Sequence, residues 1–203
     1  IVTSSLDCSC RLWDLKKGKT LFSKLICSKV LRIKNKKGTK TPTSCCCFNG
    51  SGEFVVVGNS SGDLQFWRTD RFVDKGPNPD DVIWSLFDGA ITSICYSPNG
   101  RYLAVFGGSL STGNSDVKVF GVDKEGKLVN GDSQPAFVFR NFETIADYGK
   151  SIAFSPDGDY LIVGSATRPG GKDYSKLYFF YLGDDSNIRK NSKNKTAPSE
   201  EEK

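Results

Sequence analysis

The chain has 203 residues, 37% hydrophobic and 25% charged, with a net charge of +5. These values are ordinary for a soluble globular protein, and the apolar runs are far shorter than the roughly 20 residues of a membrane-spanning helix. Because His is absent and no paired-carboxylate or Gly-Lys-Ser/Thr motif occurs, the commonest catalytic and phosphate-binding groups are missing. We therefore expect no enzyme activity, no cofactor, no metal and no membrane partner.

The cysteines and the first residue bear on compartment and completeness. Seven cysteines, an odd number, occur without any Cys-x-x-Cys pair. This pattern indicates free thiols in the strands of an intracellular protein in a reducing compartment. The chain contains no Met, so Ile1 is not a translation start. We expect the chain to be the C-terminal piece of a longer protein, with the remaining partner strands in the missing N-terminal part.

The first fifteen residues are interpreted as part of a strand repeat. Residues 1–5 predict a strand, residues 6–9 a turn and residues 10–15 a second strand. In that second strand, Cys10 and Leu12 share one face while Arg11 and Trp13 share the other. A further strand is expected at 20–26.

Three copies of one pattern follow, at 43–58, 92–107 and 150–165. Each has an apolar alternation, a turn such as Ser-Pro-Asp-Gly, and a second apolar run that ends in Gly and small residues, which predicts two antiparallel strands joined by a tight turn. The strands are expected near 43–48, 53–58, 63–67, 91–97, 102–106, 116–121, 151–155, 160–164 and 176–181. Fourth strands are expected at 82–87 and 135–140, and none is expected in the last copy.

The segment Arg11-Leu-Trp-Asp14 resembles the Trp-Asp signature of WD repeats, whose fold is a β-propeller of four-stranded blades. An aromatic residue stands in the place of Trp13 in each later copy. The aromatic positions are about 53–60 residues apart, against roughly 40–45 in a minimal repeat. We place the excess in loops at 34–40, 69–81, 107–115, 123–133 and 167–175.

The expected fold class is therefore all-β, a partial WD-repeat β-propeller of about three and a half blades. The half blade spans 1–42, and the further blades span 43–90, 91–150 and 151–183. Residues 184–203 carry almost no apolar side chain and are expected to form a disordered polar tail.

Two features narrow the resemblance: the Lys-Gly-Thr-Lys sequence before Pro42, and the long Gly/Ser turn before residues 176–180. With them, residues 1–182 are similar to the C-terminal half of the gastrulation-defective protein 1 homolog group of WD-repeat proteins. The resemblance implies a nuclear, non-enzymatic scaffold associated with cullin-4 ubiquitin ligases in the DNA damage response. It also implies a link to pre-mRNA processing.

Residues 1–16 are similar to the box through which such propellers dock on the ligase's adaptor, the damaged-DNA-binding protein. The matching positions include Asp7, Trp13 and Asp14, whereas Lys16 replaces the usual Arg. A lysine keeps the charge but lacks the planar, bidentate fork of Arg. The alternative is that Trp13 packs between blades while Asp7 and Asp14 form the hydrogen bonds that any blade needs.

Ten basic residues and no acid lie between Leu15 and Glu53. One interpretation is a patch that binds RNA or an acidic partner, with Lys16, Lys17, Lys34, Lys36 and Lys37 as candidates. The other is a solvated loop, since Phe22 is the one aromatic residue interleaved with these lysines and offers little surface for base stacking. We expect these lysines, rather than any pocket, to carry the ligand specificity.

Overall fold

A computed structural model of the chain describes residues 1–16, 24–70, 78–108, 115–129, 134–142, 151–166 and 175–183. These residues are built from strands and contain no helix, as predicted. The strands, in chain order, are β1 (Val2–Ser5), β2 (Ser9–Lys16), β3 (Lys24–Arg32), β4 (Thr43–Phe48), β5 (Phe54–Asn59), β6 (Leu64–Arg68), β7 (Asp81–Ile83), β8 (Ile91–Tyr96), β9 (Tyr102–Gly108), β10 (Ser115–Gly121), β11 (Phe137–Phe142), β12 (Ser151–Phe154), β13 (Tyr160–Ala166) and β14 (Ser175–Tyr181).

The strands pair in chain order to form four antiparallel sheets. The first sheet is β1-β2-β3, the second β4-β5-β6-β7, the third β8-β9-β10-β11 and the fourth β12-β13-β14. Each sheet is thus a meander of hairpins, and the last one has three strands among the described residues. The division of the chain into blades of a ring stays a prediction.

The turn between the first two strands of each repeat has one geometry. The N–H of Gly100 donates to the Ser97 carbonyl at 2.9 Å, and Gly158 and Ser155 form the equivalent bond at 2.9 Å. Gly52, Gly100 and Gly158 all have positive φ, between 71° and 79°. Only glycine adopts that conformation without a steric cost, which is why the turn motif ends in Gly.

Three hydrophobic clusters form the core of the described residues. One joins the first and second sheets, one the second and third, and one the third and fourth. Strands β5 and β9 are buried along almost their whole length, because both faces of a middle sheet pack against neighbours. The sheets therefore pack side by side, and each intersheet layer is an apolar seam.

The nine repeat strands expected from the sequence are confirmed within two residues at each end.

The predicted fourth strands need correction. In the first sheet, β3 continues to Arg32 rather than ending at residue 26, because it pairs with the full length of β2, and residues 20–23 of that prediction lie outside the described residues. In the second, β7 ends at Ile83 rather than at residue 87, because Ser85 has a φ of 52° and its N–H bonds the Asp63 carboxylate instead of continuing the ladder. In the third sheet, β11 begins at Phe137, two residues after the predicted start at residue 135. The predicted polar tail lies outside the described residues.

Candidate functional site

A basic groove lies between the edge strand β3 and the second sheet. Its volume is about 810 Å³, within the range of roughly 300–1,000 Å³ that is typical of ligand pockets. Strand β3, the loop after it, β6 and the residues around β7 all contribute to its wall. Its lining residues are Cys27, Ser28, Lys29, Val30, Leu31, Arg32, Lys34, Asn35, Lys36, Gly38, Lys40, Gln65, Trp67, Asn78, Pro79 and Trp84.

The described wall of the basic groove carries five cations and no acid: Lys29, Arg32, Lys34, Lys36 and Lys40. Lys29 is part-buried, and its Nζ donates to the Thr69 carbonyl at 3.2 Å. The other four are exposed. Lys34 and Lys36 thus line a pocket, and the expectation that the lysines rather than any pocket carry the ligand specificity stays a prediction. Lys37, the next candidate, is exposed on the same loop.

The loop after β3 presents its lysines in a fixed arrangement. The side-chain oxygen of Asn35 accepts hydrogen bonds from the backbone N–H groups of Lys37 and Thr39, each at 3.0 Å. The Gly38 N–H donates to the Asn35 carbonyl at 2.8 Å, and Lys34 and Lys40 form an antiparallel bridge. Because these bonds fix the backbone, binding a ligand here costs little further conformational entropy.

Two buried side chains on β6 line the basic groove with an unpartnered polar atom each. Gln65 is 1% exposed and Trp67 is 3% exposed. The Gln65 amide Nε2 donates to the Lys34 carbonyl at 2.7 Å, which fixes the orientation of the amide. Its Oε1, and the Trp67 Nε1–H, have no hydrogen-bond partner within the described part of the chain. A buried polar atom without a partner is costly, so both atoms favour a ligand or a water in the groove.

The rim of the basic groove also carries an aromatic side chain. Trp84 is 37% exposed and follows directly after β7. The next residue, Ser85, is fixed by a hydrogen bond from its N–H to the Asp63 carboxylate at 2.9 Å, and Asp63 is itself buried and bonded to Asn59 at 3.1 Å. The neighbouring sheet therefore supplies an aromatic residue to the rim of the basic groove. Sequence reasoning missed it because residue 84 lies far from residues 16–40 along the chain.

The candidate lysines do not form one patch. Strand β2 pairs Ser9 with Arg32 at one end and Lys16 with Lys24 at the other. With about 3.4 Å per residue, these ends are about 24 Å apart, so the loop at 34–40 and Lys16 lie at opposite ends of the first sheet. Lys17 lies outside the described residues. The predicted basic stretch is thus divided between the basic groove and the far end of β2.

The docking-box residues divide in the same way. Asp7 lies in the β1–β2 turn, where its carboxylate accepts from the Ser9 N–H at 3.0 Å and pairs with Arg11 at 2.5 Å. The hydrogen bond from the Ser9 hydroxyl and the Arg11 guanidinium hold the pKa of Asp7 well below its usual range. Asp7 therefore forms the turn bonds expected of any blade.

Trp13 and its neighbours form the opposite end, here called the β2 end surface: Trp13, Asp14, Leu15 and Leu25. The half-buried Trp13 indole donates to the Thr3 hydroxyl at 2.9 Å, and it lies outside the hydrophobic clusters of the described residues. Leu15 and Leu25 are cross-strand partners and are 61% and 48% exposed. Asp14 is exposed beside them. The β2 end surface thus has an apolar centre with charge at its margin.

The cysteines, all of which are described, are free thiols. Burial raises the pKa of Cys45 and of Cys95 to about 12 in each case, so neither thiol is a nucleophile near neutral pH. Within the described ranges, no three His, Cys, Asp or Glu side chains are placed to hold a metal ion. The same ranges contain no helix of the length and hydropathy that a membrane crossing needs.

The family model for the WD domain, G-beta repeat, matches residues 82–120 and 150–168. The first match runs from β7 through the first three strands of the third sheet, and the second covers β12 and β13. The matched segments thus contain the repeat that the sequence pattern predicted.

Two curated relatives match most of the chain. It is 25% identical over 185 residues to "WD repeat-containing protein 70" of Xenopus tropicalis, covering 90% of this chain and 26% of that protein. It is 25% identical over 178 residues to "Protein tipD" of Dictyostelium discoideum, covering 81% of this chain and 22% of that protein. The chain therefore spans about a quarter of the length of these relatives.

A solved structure gives the architecture. Sqt1 from Chaetomium thermophilum aligns with a TM-score of 0.52 at 15% identity, over 81% of this chain and 37% of that one. At this identity the likeness concerns the fold alone. Together with the matched WD-repeat segments and the four antiparallel meanders, it shows that the described residues have the fold of a partial WD-repeat β-propeller.

Proposed function

We propose that this chain is part of a non-enzymatic interaction scaffold that docks another protein on its β2 end surface. The observation that carries the proposal is the exposed Leu15–Leu25 pair, 61% and 48% exposed, directly beside Trp13. Protein interfaces place their binding energy in a few such apolar and aromatic side chains surrounded by polar residues. The fixed indole of Trp13 adds a preorganised anchor.

The partner we propose is the damaged-DNA-binding adaptor of cullin-4 ubiquitin ligases, which makes the parent protein a nuclear substrate receptor in the DNA damage response. The similarity of residues 1–16 to the adaptor-docking box supports this choice. So does the geometry, since Trp13, Asp14 and the end of β2 at Lys16 lie next to the exposed leucine pair. The seven free thiols are consistent with a reducing nuclear compartment.

The test is binding of the full-length parent protein to the purified adaptor by biolayer interferometry. Leu15→Asp should weaken binding at least about tenfold, the usual loss when a central interface residue is removed. Lys16→Glu should also weaken it, whereas Lys16→Arg, which restores the bidentate fork, should strengthen it. Val129→Asp is the control, because Val129 is 58% exposed beside the third sheet. Equal binding by Leu15→Asp and Val129→Asp would show that the adaptor does not use the β2 end surface.

A second candidate function is favoured by the basic groove: a ribonucleoprotein component, linked to pre-mRNA processing, that binds RNA or an acidic partner. Five cations without an acid on the described groove wall are the supporting observation. Affinity purification of the full-length parent from nuclear extract, with and without nuclease, separates the two functions. Lys34→Glu with Lys36→Glu should reduce the nuclease-sensitive fraction, while Lys16→Glu should leave it unchanged.

A further inference from the structure

We propose that the basic groove binds single-stranded nucleic acid, with one base stacked on Trp84 and its edge directed at Gln65 and Trp67. This inference rests on the second candidate function and deepens it, since it assigns the ligand class and the role of each wall. It does not depend on adaptor docking at the β2 end surface, which lies at the other end of the first sheet.

The charge of the wall selects an anionic chain. Arg32, Lys34 and Lys36 are exposed along one side of the basic groove, and no carboxylate of the described residues lines it to oppose them. Phosphates spaced along a strand can contact these cations in turn, and each contact releases condensed counterions. This wall supplies affinity without reading the base sequence.

Trp84 supplies a surface for base stacking, which the charged wall lacks. A flat indole on the rim is a stacking platform for any base, because every base has a π-face. The backbone beside Trp84 is fixed, since the Ser85 N–H donates to the buried Asp63 carboxylate. The turn that carries the indole at the groove rim is therefore preorganised.

The floor of the basic groove distinguishes a base from an acidic side chain. Trp67 Nε1–H needs an acceptor, and Gln65 Oε1 needs a donor. A carboxylate or a phosphate oxygen only accepts, so it satisfies Trp67 and leaves Gln65 unpaired. Both atoms lie beneath the groove surface, so a ligand reaches them only when the two side chains shift. A nucleobase has donors and acceptors along one edge, so a base that is splayed out of its strand then satisfies both atoms.

The test uses the full-length parent protein and fluorescein-labelled 12-nucleotide RNA and DNA, with binding measured by fluorescence anisotropy. Trp84→Ala should weaken binding by about tenfold, as expected when one base can no longer stack. Trp84→Phe, which keeps a ring, should weaken binding less than about threefold. In the unaltered protein, tryptophan emission should be quenched by unlabelled oligonucleotide, and Trp84→Phe should reduce this quenching to the part that comes from Trp67, while its melting curve is unchanged.

The salt dependence tests the charged wall separately. Replacing both Lys34 and Lys36 by Gln should reduce the slope of log K against log salt by about 1.4, at about 0.7 for each single-strand phosphate that the variant no longer neutralises. Lys124→Gln is the matched control, because Lys124 is also exposed but lies on the turn after β10. It should leave the slope unchanged.

Each result decides the proposal. Reduced quenching with Trp84→Phe, together with the reduced salt slope, supports it. A poly-glutamate peptide that displaces the oligonucleotide at lower concentration than unlabelled oligonucleotide does would overturn it in favour of an acidic protein. An unchanged affinity of a folded Trp84→Ala variant, or no binding at micromolar protein, would also overturn it. Adaptor binding is tested separately with Leu15→Asp, so a failure of the adaptor proposal is distinguishable from a failure of the nucleic-acid proposal.

Discussion

At the scale of single residues, two positions with the same backbone conformation carry different side chains. Cys8 follows β1 with a φ of 64°, and Gly62 occupies the equivalent turn before β6 with a φ of 77°. A non-glycine residue in this left-handed region is disfavoured by about 1–2 kcal/mol. Cys8 is therefore a site of local strain, which the Ile33 N–H bond to its carbonyl at 3.0 Å helps to hold.

We expect Cys8→Gly to raise the free energy of unfolding by about 0.5–1 kcal/mol, since relief of strain outweighs the greater loss of backbone entropy by glycine. Gly62→Ala should lower the free energy of unfolding by roughly 2–3 kcal/mol, because a Cβ there would lie 2.0 Å from the Phe87 carbonyl oxygen. Urea denaturation of both variants checks the pair. A Cys8→Gly variant less stable than the unaltered protein would contradict the assignment of strain.

At the scale of strands, Phe142 at the end of β11 connects the third and fourth sheets. It is fully buried and packs edge-on against Phe106, Tyr178 and Phe180, with ring centroids 5.7, 5.1 and 6.0 Å away. These partners belong to β9 and β14, so a single side chain from the outer strand of one sheet holds the last strand of the next. Aromatic contacts of this geometry add to the hydrophobic gain of burial.

Phe142→Ala should therefore lower the free energy of unfolding by about 3–5 kcal/mol, the usual loss when a buried phenylalanine leaves a cavity. Phe142→Leu should cost less, because it fills part of that volume. Val129→Ala serves as the exposed control and should stay within about 0.5 kcal/mol. Urea midpoints with an unchanged m-value provide the measurement. A loss below about 1 kcal/mol for Phe142→Ala would mean that β11 contributes little to the fourth sheet.

The inner strands of each repeat were predictable from sequence because their ends are defined by turn chemistry. Gly52, Gly100 and Gly158 stand where the backbone needs a positive φ, so β4, β8 and β12 could be placed closely. The outer strands have no such signal. The length of β3 is set by its pairing with β2. Strand β7 ends where the carboxylate of Asp63, in the turn before β6, accepts a hydrogen bond from the Ser85 N–H.

The candidate site was predictable only in part for a related reason. Charge is local in sequence, so the lysines of the basic groove were identifiable, whereas their separation from Lys16 depends on the length of β2. Trp84, Gln65 and Trp67 reach the basic groove from the second sheet. Their pairing with the lysines follows from intersheet packing, which periodicity does not reveal.

At the scale of the whole molecule, the outward faces of the first and fourth sheets resemble each other. The fourth sheet exposes Leu177, Phe179 and Tyr181, at 67%, 64% and 64%, on the face of β14 opposite the half-buried Tyr178 and Phe180. The first exposes Leu15 and Leu25. Neither β1 nor β14 has a strand paired to its outer edge among the described residues. Exposed edges and contiguous apolar faces promote association with another chain.

We therefore expect residues 1–203, prepared alone, to self-associate at micromolar concentration. The apolar row on β14 should drive this association. Each of its three large side chains contributes about 1.5–3 kcal/mol of binding free energy when buried, before the entropic cost of association is subtracted. Leu177→Glu with Phe179→Glu should shift the sedimentation profile to monomer, since like charges on facing copies repel and remain solvated in the monomer. Lys124→Glu, an equally exposed charge change on the turn after β10, should leave the profile unchanged. A sharp-melting monomer for the unaltered chain would show that these two faces are stable in water, and would contradict the prediction.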